Sequence, residues 1–427
     1  MSNGAATAHL IKPKLLTMIL REGYDLARFR SDLVSGLTVA IVALPLSMAI
    51  AVASGVGPER GLFTAIVGGF VVSALSGSRF QIGGPAGAFI TLVAATAASI
   101  GVDGLITAVL LSGVMLALLG LFRIGSLVRH IPHAVTVGFT CAIAVVIAAS
   151  QLKELGGLTL THGEPGKLLP KLLALGEAIP SVNVYALGIG VATAATIFIV
   201  RAYRPTWPGM LIGVVGASVI AALLHFPVET IATRFGGIPN SLPAPQLPDF
   251  AWDHVVRALP AALSFTVLGA IESLLSAKVA DGMTHRQHRS NMELIGQGAA
   301  NVASSFFGGI CVTGTIARTA TNIRAGAKTP VSGMLHAAIL LLFMAIAAPL
   351  AGYIPLSSLA GVLIVVAWNM AEKEEAAKLL RAWPSALVLG VTFGLTVAED
   401  LIVGIGAGCV AAALLAWLKR PTRQEGA

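Results

Sequence analysis

Two charged residues lie inside apolar sequence, where their chemistry would suit the binding of an anion and of a proton. Arg318 belongs to the run CVTGTIARTATNIRAG, and Glu272 belongs to the run LGAIESLLSAKVADGMT. An arginine at the centre of a bilayer costs at least ~2.5 kcal/mol, so it needs a negative partner. A bound anion and Glu272 are both candidates for that partner.

Glu272 has three interpretations that the sequence leaves open. An apolar setting favours its protonated form and a nearby Arg318 favours its ionised form, so the carboxyl could bind and release a proton during a transport cycle. Ser276 lies one helical turn further on the same face, and the two side chains could instead hold a small cation. The third interpretation is a purely structural ion pair between Glu272 and Arg318.

Two glycine-containing segments predict a binding site made largely of backbone. RFQIGGPAGAFITL (79–92) and FFGGICVTGTIART (306–319) share an order of short extended piece, glycine pair and helix. A helix that begins inside the membrane exposes unpaired N–H groups and the positive end of its dipole, which attract anions. We align Gly83-Gly84 with Gly308-Gly309 on this basis.

Residues beside these glycine pairs have predicted roles in shaping the two helix ends. Pro85 is expected at the first helical position of its segment, where its missing N–H costs nothing. Gly87, Gly314 and Thr315 are expected to keep the backbone accessible.

The composition indicates a polytopic membrane protein. Of the 427 residues, 56% are hydrophobic and only 11% are charged, and the mean hydropathy is +0.86. Soluble domains carry about a quarter charged residues. Three cysteines in apolar runs are predicted to be packed free thiols rather than disulfides.

Apolar runs separated by short charged joints predict an all-α fold of fourteen spans. Several runs are shorter than the ~20 residues that cross a bilayer, and the two shortest are the third and the tenth. The predicted spans are residues 34–54, 60–76, 86–99, 104–121, 130–150, 183–200, 206–224, 258–277, 291–307, 315–327, 331–350, 355–370, 382–397 and 400–418.

The basic residues predict the orientation of these spans. With the N-terminus in the cytoplasm, 20 of the 28 Lys and Arg residues fall inside and 6 fall outside. Arg79 and Arg318 are predicted to be embedded. This positive-inside distribution favours two cytoplasmic termini, and it explains the pI of about 9.7 without a nucleic-acid partner.

The fourteen spans divide into two halves of seven, and an odd number of spans inverts the second half. The predicted organisation is a cytoplasmic segment 1–30, a first repeat 31–224, an outside linker 225–257, an inverted second repeat 258–418 and a cytoplasmic tail 419–427. Interrupted segments at matching places in two inverted halves are typical of the central site of a transporter.

Other motifs favour ordinary structural interpretations. GIGAG (404–408) resembles a fragment of a dinucleotide motif, but it lies within an apolar span and indicates helix packing. His285 and His288 have a metal-ligand spacing, yet they belong to a basic loop. The sequence contains no recognisable catalytic triad, that is, a nucleophile with a general base and a residue that orients the base, and no Walker loop. An enzyme is therefore not expected.

The chain resembles the SulP (sulfate permease) family of anion transporters from Arg30 onward. The resemblance rests on DLVSGLTVAIVALPLSMAIA, IGGPAGAFITL, AIESLLSAKVADGMT, TGTIARTATNIRAGAKTP and IPLSSLAGVLIVVAWNM. The second half is most similar to the subgroup that contains the C4-dicarboxylate permease of enteric bacteria. Family members normally continue into a cytoplasmic STAS domain, and this chain is expected to end before it.

The resemblance implies the architecture and the activity. Spans 1–4 and 8–11 would form a mobile core and spans 5–7 and 12–14 a gate, usually in a homodimer. The implied activity is secondary active transport of a small anion across the bacterial inner membrane by alternating access. Sulfate, bicarbonate and a C4-dicarboxylate all remain open, as do a sodium-coupled bicarbonate transporter and an uncoupled channel. Uracil and xanthine permeases share the fold, but Arg318 favours an anion.

The resemblance also implies the site residues. The expected substrate-binding set is Leu46, Ile50, Pro85, Ala86, Gly87, Gly314, Thr315, Ile316, Ala317 and Arg318. Many relatives have Ser at the position of Ala317, so a hydroxyl contact is expected to be missing. Glu272 and Ser276 match the coupling-ion positions of relatives that use H⁺ or Na⁺, and no other cofactor is implied.

Overall fold

Most of the chain that the structure describes is helical. The computed structural model describes residues 11–125, 132–161, 165, 167–205, 207–248, 251–399 and 401–418, so the predicted tail 419–427 lies outside the described residues. The first half contains α1 (Lys14–Glu22), α2 (Leu26–Ala53), α3 (Pro58–Phe63), α4 (Gly69–Leu75), β1 (Gly83–Gly84), α5 (Ile90–Leu121), α6 (His133–Gly156), α7 (Leu168–Glu177), α8 (Val184–Tyr203), α9 (Gly209–Leu223) and α10 (Ile231–Phe235).

The second half follows the same kind of order. It contains α11 (Trp252–Thr284), α12 (Ser290–Phe306), β2 (Thr313–Gly314), α13 (Ile316–Arg324), α14 (Val331–Ala351), α15 (Leu356–Met370), α16 (Lys373–Leu379), α17 (Trp383–Ala398) and α18 (Leu401–Leu418). A π-helical turn (Thr64–Gly68) joins α3 to α4, and a 3-10 turn (Gly87–Phe89) leads into α5.

The predicted all-α membrane fold is confirmed, because each of the fourteen predicted spans corresponds to a helical segment. Nine helical segments of the described chain are long and apolar enough to cross a membrane, and α9 and α17 are shorter apolar helices. Spans 3 and 4 are the two parts of α5, which breaks at Gly101 (φ 75°). Helix α11 begins at Trp252, inside the predicted linker 225–257, while the division into two repeats stays a prediction.

The helices pack in two groups that match the expected core and gate. Helices α2 to α5 and α11 to α14 contact one another, with the closest association between α5 and α12. Helices α6, α8, α9, α15, α17 and α18 form the second group. Helix α2 connects the groups, since it also touches α15 and α9.

Small residues allow several of these helices to approach closely. Gly404 and Gly408 of α18 face Thr392 and Thr396 of α17, and a Cβ at Gly404 would lie 2.7 Å from the Thr396 nitrogen. The interpretation of GIGAG as a helix-packing motif is therefore confirmed. Gly61 of α3 meets the backbone of α2 in the same way, because its Cβ would lie 2.7 Å from the Ser47 carbonyl carbon.

We expect the Gly61→Ala variant to be less stable, since an added methyl group must push α3 away from the backbone of α2. Overpacking of this kind costs about 1–3 kcal/mol. The control is Gly188→Ala in α8, where the added Cβ meets nothing within 4 Å. Thermal denaturation in detergent should show a lower midpoint for Gly61→Ala only. Equal midpoints for the two variants would contradict the close approach of α2 and α3.

Candidate functional site

The two interrupted segments meet through a short antiparallel pair of strands. Gly83 of β1 pairs with Gly314 of β2, and Gly84 pairs with Thr313. A helical turn begins at Gly87 after the first strand and at Ile316 after the second. Because the strands run in opposite directions, the two helices leave them on opposite sides with their N-terminal ends close together. The predicted pair of half-helices is therefore confirmed.

The alignment of the two glycine pairs is wrong. Gly308 and Gly309 do not pair with a strand; they end α12, where Gly308 has φ +66° and the Gly309 N–H donates to the Ser304 carbonyl at 2.9 Å. Glycine is favoured at this position because the left-handed conformation carries little cost for it. The strand partner of Gly83-Gly84 is Thr313-Gly314.

The predicted helical position of Pro85 is also wrong. Ala86 has an extended backbone (φ −122°, ψ 146°) and precedes the 3-10 turn, so Pro85 lies two residues before the first helical residue, Gly87. The role of Pro85 is instead that of an acceptor, because its carbonyl oxygen receives a hydrogen bond from Nη2 of Arg318.

Arg318 is the third residue of α13, and its side chain is 1% exposed. Its Nε and Nη1 atoms have no hydrogen-bond partner among the residues that the structure describes. Gly84 leaves the space for the guanidinium, since a Cβ at Gly84 would lie 3.0 Å from the Arg318 Cζ atom. A buried cation with unused donor atoms therefore lies beside the paired strands.

Glu272 is close enough to Arg318 for their charges to interact, but the two side chains form no ion pair within 4.0 Å in the described chain. The Glu272 Oε2 atom is buried and has no partner among the described residues. Ser276 donates to Thr319 Oγ1 at 3.3 Å rather than to Glu272. A direct structural ion pair is thus not formed in this structure.

Neither half-helix is capped by a side chain at its start. Thr315 precedes α13 and is a residue type that often caps helices. Its hydroxyl donates instead to the Ile82 carbonyl at 3.4 Å. Ala86 precedes the 3-10 turn and has no side-chain acceptor. The first N–H groups of both helices therefore stay available to a ligand.

The other predicted site residues lie around these helix ends. Leu46 and Ile50 of α2 are buried in the same hydrophobic core as Ala86. Gly87 approaches α6 closely, because a Cβ there would lie 2.8 Å from the Ile147 Cδ1 atom. Ile316 is partly exposed and Ala317 is exposed, so the start of α13 is accessible from outside the packed core.

Ser273 is a site residue that the sequence analysis missed. Its Oγ atom forms a hydrogen bond with Thr313 Oγ1 at 2.9 Å and accepts one from the Gly314 N–H at 3.2 Å. Its carbonyl accepts from Gln81 Nε2 at 3.1 Å. Ser273 thus joins α11 to both extended segments, and its position next to Glu272 was the only signal in the sequence.

A polar stripe on α12 holds the second extended segment. Asn301 donates to the Val312 carbonyl at 2.9 Å and accepts from the Val312 N–H at 2.9 Å, and Gln297 also donates to that carbonyl. Ser304 donates to the Ile310 carbonyl at 3.0 Å. Spacings of four and three residues put these side chains on one helical face, and this pattern was readable in the sequence.

His288 belongs to a hydrogen-bonded cluster at the end of α11. Its Nδ1 atom lies 2.6 Å from Asp281 Oδ2, and its Nε2 atom lies 3.0 Å from Ser290 Oγ. These hydrogen bonds link Asp, His and Ser as in a catalytic triad, an arrangement that was not recognised from the sequence. Ser290 is only 2% exposed, however, so a substrate does not reach its hydroxyl and the cluster is structural.

Arg79, which is predicted to be embedded, has an ion-pair partner in the helix that precedes the first span. Its guanidinium forms an ion pair with Glu22 of α1, with Nη1 at 2.9 Å from Oε2. Helix α1 precedes the first spanning helix, so this pair lies at the end of the helical bundle that carries the N-terminal segment.

Comparisons with known proteins agree with this arrangement. Residues 29–391 match a family model described as the sulfate permease family. The chain is 42% identical over 394 residues to the putative sulfate transporter YvdB of Bacillus subtilis, covering 92% of this chain and 74% of that protein. It is 34% identical over 400 residues to the bicarbonate transporter BicA of Picosynechococcus, covering 90% of this chain and 70% of that protein.

Solved structures show the same fold. The transmembrane domain of a cyanobacterial bicarbonate transporter, BicA, matches with a TM-score of 0.78 and 30% identity, covering 90% of this chain and 99% of that one. The structure of SLC26A9 matches with a TM-score of 0.86 and 19% identity, covering 96% of this chain and 70% of that one, which supports the fold alone.

We expect Ser273→Ala to lower stability, because it leaves the buried Gly314 N–H without its acceptor. The cost of such a group is about 1–3 kcal/mol. Ser264→Ala is the matched control, since Ser264 is a half-buried residue of the same helix whose hydroxyl donates to the Pro260 carbonyl one turn earlier. Thermal denaturation would contradict the bridging role if both variants kept the midpoint of the unmodified protein.

Proposed function

The chain belongs to the sulfate permease family, and on this basis we propose that it is a secondary active transporter of small anions. The relatives named above are transporters and not enzymes, and this chain is likewise a multi-pass membrane protein rather than an enzyme. The anion would bind between the N-terminal ends of α13 and of the 3-10 turn before α5.

The two unpartnered nitrogen atoms of the Arg318 guanidinium, Nε and Nη1, are the observation that carries this proposal. Both atoms are buried without an acceptor in the described chain, and a buried charge needs a counter-charge. The uncapped helix ends at Gly87 and Ile316 add the positive ends of two dipoles to the same place. An anion at this point would satisfy the guanidinium and both helix ends together.

A small oxyanion suits these donors best. The planar guanidinium presents paired N–H groups that match the oxygens of sulfate, bicarbonate or a carboxylate. YvdB and BicA are named as sulfate and bicarbonate transporters, and a C4-dicarboxylate shares the same carboxylate chemistry. Leu46, Ile50 and Ala86 would supply the apolar wall beside the anion.

Glu272 is the proposed coupling residue, with H⁺ as the coupling ion. Its Oε2 atom is buried without a partner, while Ser276 is engaged with Thr319. A sodium site, which is the alternative, would need the Ser276 hydroxyl and the Glu272 carboxylate to face one ion. Alternating access between core and gate would then expose the loaded site to each side of the membrane in turn.

The proposed setting is the bacterial inner membrane, with both termini in the cytoplasm. The distribution of Lys and Arg supports this orientation, and bacterial relatives support the inner membrane. A homodimer is proposed from the family resemblance alone.

Arg318→Ala should weaken anion binding strongly, because it removes the attracting charge and leaves Glu272 without a nearby cation. The loss would approach ~3–5 kcal/mol if both groups are fully desolvated. Arg318→Lys should restore binding only in part, since it keeps the charge and loses the planar fork. Arg324→Ala is the matched control, on the exposed last turn of the same helix. Binding of sulfate, bicarbonate and succinate to the purified protein is the measurement.

The double variant Arg318→Ala with Glu272→Ala separates a binding role from a structural one. A folded double variant that binds its anion as tightly as the unmodified protein would show that Arg318 supports the fold only. The proposal expects weak binding in both the single and the double variant.

Glu272→Gln should abolish proton-driven accumulation, since glutamine resembles the protonated carboxyl and does not release a proton. Anion exchange without a proton gradient should be affected less. Uptake of the labelled anion into proteoliposomes, with and without an imposed pH gradient, makes the comparison, and Glu177→Gln on α7 is the exposed control. Undiminished accumulation with a normal pH dependence would rule out the coupling role.

A further inference from the structure

Helix α1 is amphipathic, and its two faces have different surroundings. Met18 is 1% exposed and packs against the protein. Leu16, Ile19 and Leu20 are 50%, 49% and 73% exposed, and their spacing places them together on the opposite face. An exposed apolar face of this kind on a nine-residue helix requires an apolar neighbour.

The polar side of α1 is fixed to the end of the helical bundle. The Lys14 N–H donates to the Ser76 carbonyl at 3.1 Å. Nη1 of Arg289 donates to the Lys12 carbonyl at 2.7 Å and to Thr17 Oγ1 at 2.9 Å. The ion pair between Glu22 and Arg79 holds the last turn. These contacts set the orientation of the helix, so that its apolar face points away from the bundle.

The position of α1 identifies the neighbour of this face. Only residues 23–25 separate α1 from α2, the first spanning helix. A helix so close to the start of a span lies at the membrane surface, where amphipathic helices bury their apolar face at the boundary of the acyl chains. Leu16, Ile19 and Leu20 therefore face lipid.

A cluster of cations surrounds α1. This cationic cluster consists of Lys12, Lys14, Arg21, Arg286 and Arg289. None of the five forms an ion pair within 4.0 Å in the part of the chain that is described, because Glu22 is paired with Arg79 and Asp281 with His288.

Two observations describe the electrostatic surroundings of the cationic cluster. Burial, followed by repulsion from Arg289 and Arg79, lowers the pKa of Lys14 to about 8. Arg289 is 5% exposed, and its Nε atom has no partner among the described residues. A ligand with acceptor oxygens and negative charge would relieve both conditions.

We propose that α1 and the cationic cluster form a binding surface for the headgroups of anionic phospholipids. The apolar face places the helix among lipids, and the adjacent cations supply the charge that recognises a phosphate. A basic residue near an anionic membrane surface contributes about 1 kcal/mol. The contacts of α1 with Ser76, Arg79 and Arg289 all involve the core, so the lipid binds to the core rather than to the gate.

The test is hydrogen exchange of the α1 amides in the full chain, reconstituted in nanodiscs of phosphatidylcholine alone or mixed equally with phosphatidylglycerol. Anionic lipid should increase the protection of α1 by about fivefold for each cation engaged. Lys12→Gln with Arg21→Gln should remove most of that increase. Lys378→Gln with Arg381→Gln on and after α16 is the matched control and should retain it.

The dependence of α1 protection on pH is a second measurement. The charged groups that act on Lys14 are Arg289, Arg79 and Arg286 as further cations and Asp281 as the carboxylate. Because packing of α1 on the bundle lowers the pKa of Lys14 from its ordinary value of 10.5 to about 8, this packing strengthens in phosphatidylcholine as pH rises from about 8 to about 10.5. Anionic lipid should abolish this rise by restoring a counter-charge.

Three outcomes would overturn the proposal. One is equal protection of α1 in the two lipid compositions. Another is an equal increase in the protection of α1 when inorganic phosphate is added to phosphatidylcholine nanodiscs, which would show that the cationic cluster binds a free anion. The third is an undiminished response to anionic lipid after Leu16→Ser with Leu20→Ser, which would show that the apolar face does not lie in the membrane.

Discussion

The bilayer offers no water to an unpaired backbone group, and this constraint governs the centre of the molecule. Extended chain at membrane depth is tolerated only where its N–H and C=O groups are paired inside the protein. The segments around β1 and β2 meet the requirement by pairing with each other. Side chains of α11, α12 and α13 complete the pairing, with Ser273, Asn301 and Asn322 each bonded to one extended segment.

The same pairing explains why two helices begin inside the membrane facing each other. Each strand ends where its helix begins, so the uncapped ends at Gly87 and Ile316 are held together by the strand register. A cation near a helix N-terminus is electrostatically unfavourable for the helix. Arg318 therefore does not stabilise α13 by its charge, and its cost is offset by the Pro85 carbonyl and by negative charge, from Glu272 or from a ligand.

Local sequence patterns predicted the spans, the break near Gly101 and the two half-helices, because apolar run length and helix-breaking residues act within a few positions. They did not predict which glycine pairs with which strand residue, since register depends on a partner more than 200 positions away. The ion pair of Arg79 with Glu22 was missed because its partner lies 57 positions away, and the position of Pro85 was missed because the chain stays extended through Ala86. The identity of the anion stays a prediction, because sulfate, bicarbonate and a carboxylate all present oxygens that suit Arg318. The coupling ion also stays a prediction, because Glu272 and Ser276 suit both H⁺ and Na⁺ chemistry.

The positions of the hydrogen bonds indicate that the core group holds the site and that the gate group only packs against it. Both strands, both half-helices, Arg318 and Glu272 all belong to the core group. The gate reaches the site through an apolar contact, in which Ile147 of α6 lies against Gly87. Dispersion contacts of this kind are individually weak and are not directional. A movement of the core relative to the gate would therefore break apolar contacts at Gly87. The hydrogen bonds that shape the site join core residues to one another, so they would stay intact and move with the core.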